Sequence, residues 1–271
     1  MRTTRVLLVA ISLVVVFLIY LLPKAVVEDE SQLGTGAVSV DSLTSPAGAH
    51  GNTSKEKAAA IKQLRARYLS SPATEKSAIF ADSLASLYKS AGKFDSAAWF
   101  AKEAATFFGS AESFLKTADY YYEAYLFAID PNKQKAMASQ AQTYYGKVLD
   151  KQPDNLDVKT KMAMTLLATS PPMEAIAKLR EILDQNPEHE LALYNLGMLS
   201  IQSGQYGLAV ARLEKLTSVN PQHVQGQLLL GVAYANTDQK AKARQQFEKV
   251  KKLDSDPAVQ ATADSYLKDL Q

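Results

Sequence analysis

Three histidines, two serine–lysine pairs and one glycine pair are the residues whose types and spacing suggest chemistry. His189 and His223 lie 34 residues apart, with His50 far upstream. Two imidazoles can begin a metal site, but zinc needs three or four ligands converging on one point, and no third ligand follows. Both histidines therefore read as turn residues in matching positions. Ser86-x-x-Lys89 and Ser113-x-x-Lys116 imitate the serine–lysine pair of some acyl transferases. That chemistry also needs an oxyanion hole and a desolvated lysine, and both pairs fall in segments rich in exposed polar residues. Gly34-x-Gly36 lacks the third glycine, preceding strand and following helix of a nucleotide loop. The chain contains no cysteine, which removes thiolate metal sites, cysteine nucleophiles, disulfides and the lipidated cysteine of a bacterial lipoprotein. Carboxylates are plentiful but scattered. The expectation is no catalytic residue, no metal site, no cofactor and no enzyme.

The interval between the two histidines recurs elsewhere. Pro153, Pro187 and Pro221 stand 34 apart, as do Ala141, Ala175, Ala209 and Ala243. Tyr145, Leu179, Leu213 and Phe247 form a third series, and Leu196-Gly197 returns as Leu230-Gly231. A 34-residue unit accommodates two antiparallel helices and two turns. Small residues then sit where helix backbones approach, large ones fill the space between neighbours, and proline ends the second helix because it cannot donate within a helix interior. Ser71-Pro72, Asp130-Pro131, Ser170-Pro171 and Asp256-Pro257 each place an N-cap residue before a proline at the first helical position. A helix over about 55–68 bearing Lys55, Lys57, Lys62, Arg65 and Arg67 precedes the array. It reads either as a solvated cap or as a surface for anionic lipid or an acidic partner. A helix over about 258–270 closes the array.

The motif residues carry a resemblance. "LYNLGMLSIQSGQYGLAVARLEKLTSVNP" resembles the tetratricopeptide repeat at Leu193, Leu196, Gly197, Gly204, Tyr206, Ala209, Leu213 and Pro221. The following unit matches at Leu230, Gly231, Tyr234, Ala243 and Phe247, and an upstream unit at Leu84, Ala85, Tyr88, Gly92, Phe94, Ala97 and Ala104. Residues 111–153 form an expanded unit and 156–187 a degenerate one, with Met162-Ala163 in place of Leu-Gly. The resemblance implies an all-α fold, a superhelical array of about five antiparallel helix pairs with capping helices over 55–271. It also implies a groove lined by the first helix of each unit. Carried onto this chain, the groove positions include Thr160, Met164 and Leu167, then Tyr194, Met198 and Ile201, then Leu228 and Val232. That lining is apolar. It suits an amphipathic or hydrophobic protein segment and not the acidic chaperone tails that some members clamp with lysine, arginine and asparagine. An external partner, a second copy of the chain and the chain's own last helix remain open as what covers it.

The first 54 residues differ from the rest. Arg2 and Arg5 precede an apolar run from Val6 to Leu22, followed by Lys24 and then Glu28, Asp29 and Glu30. Seventeen helical residues span about 25 Å, near the lower limit for a membrane helix. The run is longer than the core of a cleaved signal, and no Ala-x-Ala site follows closely. Residues 1–27 thus read as a cytoplasmic tip and an uncleaved transmembrane signal-anchor. The positive flank keeps the N-terminus cytoplasmic and sends the rest across, into the periplasm of a bacterium. Residues 28–54, rich in Gly, Ser and Thr, read as a flexible linker. The net charge of +2, with both signs interspersed, leaves no nucleic-acid footprint. The combined expectation is a membrane-anchored protein-interaction scaffold. The alternative is a holdase-like assembly factor at a secretion, translocon or cytochrome-maturation complex, the role of some single-pass tetratricopeptide proteins.

Overall fold

A computed structural model describes residues 55–71 and 74–270, and every regular element among them is an α-helix. A capping helix, α1 (Lys55–Ser70), comes first. Five pairs follow: α2 (Glu75–Ser90) with α3 (Phe94–Phe108), α4 (Ala111–Phe127) with α5 (Pro131–Leu149), α6 (Leu156–Thr169) with α7 (Pro172–Gln185), α8 (Glu190–Gln202) with α9 (Tyr206–Val219), and α10 (Val224–Ala235) with α11 (Lys240–Leu253). The last helix, α12 (Pro257–Asp269), packs on α11, where Phe247 and Tyr266 stack with centroids 4.9 Å apart. The expected transmembrane helix and linker lie outside the described residues. Among those described, no helix is long and apolar enough to cross a membrane.

The alanine series and the large-residue series are among the most deeply buried positions of the array, while the prolines at the same interval are exposed. Ala141, Ala175, Ala209 and Ala243 are all wholly buried, and so are Tyr145, Leu179, Leu213 and Phe247. The small and large members of a unit meet. A Cβ added to Gly197 would lie 2.6 Å from Leu213 Cδ2, and one added to Gly231 would lie 2.6 Å from Phe247 Cε1. Carbon atoms in good contact stand 3.5–4.0 Å apart, so neither site holds a side chain. Each glycine lets its helix settle onto the large residue of its partner helix.

The helix ends follow the same period. Asn155, His189 and His223 are the N-caps of α6, α8 and α10, and their side chains accept from Val158 N, Ala192 N and Gly226 N at 3.1, 3.3 and 3.0 Å. Each thereby satisfies one of the donors that a helix start leaves without an internal partner. Asn186 and Asn220, just before His189 and His223, and Asp254, just before the N-cap Asp256 of α12, each accept from the backbone N–H two residues on, at 3.0, 3.1 and 2.8 Å, fixing the turn there. Asp130 and Asp256 cap their proline-started helices as expected. Two other caps differ from expectation. Ser170 ends α6, and Pro171 stands at the N-cap of α7 with Pro172 first in the helix. Helix α2 starts later than Ser71-Pro72 implied, at Thr74, which forms a capping box with Ser77. Pro72 itself lies outside the described residues.

First helices of successive units touch directly, α4 with α6, α6 with α8 and α8 with α10, whereas second helices make no comparable contact with one another. The first helices therefore form a common inner wall.

The glycine contacts yield a stability prediction. Gly197→Leu and Gly231→Leu should each destabilise the array by about 1–3 kcal/mol or more through overpacking. Gly207→Leu, at a helical position with open space where its Cβ would stand, should leave the thermal melt unchanged or raise it. Equal melts for all three would contradict the contact.

Candidate functional site

The inner wall changes character along the chain. In the C-terminal half the first helices pack against one another and withdraw most of their side chains. Met164 is only 4% exposed and sits in the core with Leu179, Ile182 and Leu196, so it does not line a surface. Thr160 is also buried, its hydroxyl donating to the Leu156 carbonyl at 2.7 Å. Leu167 and Met198 are half-buried against the same cluster; Tyr194, Ile201, Leu228 and Val232 are half-buried against the C-terminal one. The partial cover comes from neighbouring first helices. Helix α12 packs on α11 instead of lying across α8 and α10.

In the N-terminal half the wall opens. Helices α2 and α4 stand apart and are joined by ion pairs: Lys89 to Glu123 at 2.5 Å and Lys116 to Asp82 at 2.6 Å. On α6, Lys161 reaches both oxygens of Asp119 at 2.8 and 3.0 Å, and Asp119 Oδ1 also accepts from the Tyr145 hydroxyl at 2.8 Å. Between them lies an open groove of about 570 Å³ lined by Leu115, Tyr120 and Tyr122, with the exposed Leu126 at its margin, and by the charges of Lys89, Glu112, Lys116, Asp119, Glu123 and Lys161. The Lys89 and Lys116 ammonium groups lie 5.0 and 5.8 Å from the centre of the Tyr120 ring, within cation–π range. The groove offers cations, carboxylates and aromatic faces within one trough.

None of these charged residues was expected as a binding residue, yet a signal was present. Asp82 and Lys116 are 34 apart, and so are Lys89 and Glu123. Opposite charges at the repeat interval on first helices mark where two units are bridged across a gap. Asp119 and Lys161 are 42 apart because the second unit is longer.

The histidines and serine–lysine pairs have structural employment. The cap interaction occupies Nδ1 of His189, leaving the proton on Nε2, which faces Asp157 Oδ1 at 3.2 Å. The His223 ring stacks on Tyr194 at 5.3 Å. Among the described residues no three groups gather as metal ligands. Ser113 belongs to the capping box of α4 with Ser110. Lys116 donates to Asp82 and, at 3.2 Å, to Ser86 Oγ, while the Ser86 hydroxyl donates to the Asp82 carbonyl. That arrangement holds the serine oxygen without activating it.

The Tetratricopeptide repeat family profile matches residues 172–222 and 200–263, from the start of α7 into α12. Over those residues the chain matches the tetratricopeptide repeat. Curated proteins provide no match to it. Among solved structures, MamA 41-end from Desulfovibrio magneticus RS-1 is 19% identical, the alignment covering 65% of this chain and 94% of that one, with a TM-score of 0.45. YrrB, described as a TPR protein with an unusual peptide-binding site, is 19% identical over 78% of this chain and 98% of its own, with a TM-score of 0.42. The C-terminal part of a TPR repeat-containing protein from Cytophaga hutchinsonii is 16% identical over 73% and 74%, with a TM-score of 0.48.

Beneath the groove the helical array buries several phenols. Burial, reinforced by Tyr125, Asp119 and Tyr194, pushes the Tyr122 hydroxyl up to about 12, and burial raises Tyr121 and Tyr145 as well. Phenols of the unfolded chain ionise near pH 10. The folded state therefore holds its protons longer, and this stability is complete below about pH 10 and declines as pH rises toward about 12. Denaturant midpoints measured across that range should fall, and Tyr122→Phe should flatten part of the fall. A midpoint constant to about pH 12 would contradict the burial of these groups.

Proposed function

We propose that this chain is a non-enzymatic, membrane-tethered scaffold that holds a segment of a partner protein in the groove on α2, α4 and α6. The observation that carries the reading is the gap between α2 and α4, bridged by ion pairs where the later units pack helix against helix. Side chains of the paired Lys89 and Glu123 keep 42% and 27% exposure, and those of Lys116 and Asp82 31% and 43%. Exposed pairs of this kind contribute only about 0–1 kcal/mol, so a partner's charges displace them at little cost and take up the released groups. The tyrosine and leucine lining then receives apolar side chains between those charges. The segment that fits carries both signs of charge around aromatic or aliphatic residues. It is more polar than the occupant expected for the C-terminal half of the wall.

The tether is inferred from the sequence: an apolar run over residues 6–22, arginines before it and acidic residues after it. With the positive flank retained in the cytoplasm, the array operates on the far side, the periplasm in a bacterium.

Two experiments test these assignments. A photo-cross-linking amino acid at Glu112, in the groove lining, should capture a partner that the same group at Glu248, exposed on α11, does not; Lys116→Glu with Lys89→Glu should abolish the adduct. Identical adducts from both positions would sink the groove as the binding face. Protease added to the far side of intact vesicles should digest the array, and digestion from the cytoplasmic side alone would reverse the orientation.

A further inference from the structure

One helix start and two turns lie together at one edge of the array. Lys57, near the start of α1, donates to the carbonyl of Ser90, the last residue of α2, at 2.8 Å. Phe94, the first residue of α3, stacks on Phe127, the last of α4, with centroids 4.3 Å apart. The start of α1, the α2–α3 turn and the α4–α5 turn therefore lie side by side. This edge is apolar at its tip. Ile129 is 86% exposed, far more than any other large hydrophobic residue described, and Leu126 and Phe127 beside it are 55% and 49% exposed.

Lysines flank this edge along the chain. Lys93 precedes Phe94, while Lys133 and Lys135 stand on the first turns of α5 just past Ile129. Lys55 and Lys57 open α1. The acidic residues at this edge are Glu56, Asp95, which pairs with Lys133, and Asp130, whose side chain caps α5. The balance is basic. Apolar side chains at a turn, flanked by lysines, match the boundary between acyl chains and anionic headgroups, where the apolar groups enter and each ammonium meets lipid phosphate. The opposite edge also exposes apolar residues, Phe107 at 53% and Phe108 at 41%. There Glu75 and Glu112 stand at the helix starts beside Lys76, with Arg67 in the last turn of α1 and Lys147 and Lys151 within 5.2 and 5.8 Å of the Phe114 ring, so charge alone does not separate the two edges.

Chain entry distinguishes the two edges. The segment preceding Lys55 joins the array at the edge that carries Ile129. About 24 residues of its Gly- and Ser-rich composition reach on the order of 25–30 Å. We propose that the Leu126–Lys135 edge, with the start of α1, docks onto an anionic lipid surface. This rests on the tether proposed above. It makes the array a body held against the membrane by one edge, with the groove mouth beside the bilayer surface.

The cysteine-free chain allows a direct test. The full chain carrying Ile129→Cys is labelled there with a polarity-sensitive fluorophore and reconstituted into phosphatidylcholine–phosphatidylglycerol vesicles; Phe107→Cys on the opposite edge serves as the control. Flotation of the vesicles reports the anchor independently of the label. The expected result is co-flotation, with blue-shifted emission at position 129 that a lipid-borne quencher reduces, and water-like emission at position 107. Co-flotation with water-like emission at position 129 would overturn the docking edge while leaving the anchor intact. Failure to float would defeat the anchor and, with water-like emission, the docking edge too. A blue shift that appears without lipid and grows with protein concentration would assign the edge to a second copy of the chain, and would equally overturn the proposal.

Discussion

In the fourth and fifth pairs the two helices come together because one of them gives up a side chain. Gly197 lies under Leu213 and Gly231 under Phe247, each glycine sixteen residues before the large group that covers it. The large residue is wholly buried in each case, and so is the alanine four positions before it. A helix pair built this way has one apolar flank left over. It becomes stable by stacking on the next pair, which is the general condition of repeat architectures. The interval of 34 is the chain length needed to return to the same contact in the next unit.

Stacking also determines what the wall of first helices can do. Where α6, α8 and α10 touch, apolar side chains turn into mutual cover, and a wall that looks sticky in sequence is largely spent on its own packing. Where α2 and α4 stand apart, the space is spanned by long charged side chains. Those pairs are exposed and weak enough to exchange partners. The same fold therefore yields a closed, structural half and an open half suited to binding, without any change in the repeat motif. Three core clusters, over residues 61–158, 163–196 and 193–267, follow this division.

The repeat was legible in the sequence because burial forces a narrow choice at each periodic position. Ala209 and Phe247 have no alternative to alanine-like and leucine-like sizes. The caps were legible in principle as well. Asn155, His189 and His223 form a series at the repeat interval, but a histidine pair suggests metal chemistry more readily than a shared role as acceptors at helix starts. The groove was not legible from motif positions alone. Those positions say which face of a helix points inward; how far two first helices stand apart is a property of the packing between units. Met164 and Thr160 point inward and are buried, whereas Lys89 and Lys116 point inward and reach water. The spacing of opposite charges at 34 residues was the sequence's trace of that gap.

The close contact within a pair is best tested by a double-mutant cycle on Gly231 and Phe247, read by chemical denaturation. With Phe247 present, Gly231→Ala should destabilise the chain, because its Cβ meets a rigid, wholly buried ring at 2.6–3.0 Å. With Phe247→Ala, the same substitution should become neutral or stabilising by up to about 1 kcal/mol, the helix preference of alanine over glycine. A Gly231→Ala cost that is the same in both backgrounds would show that the glycine is not there to admit the ring, and the stacking of pairs would then rest on some other contact.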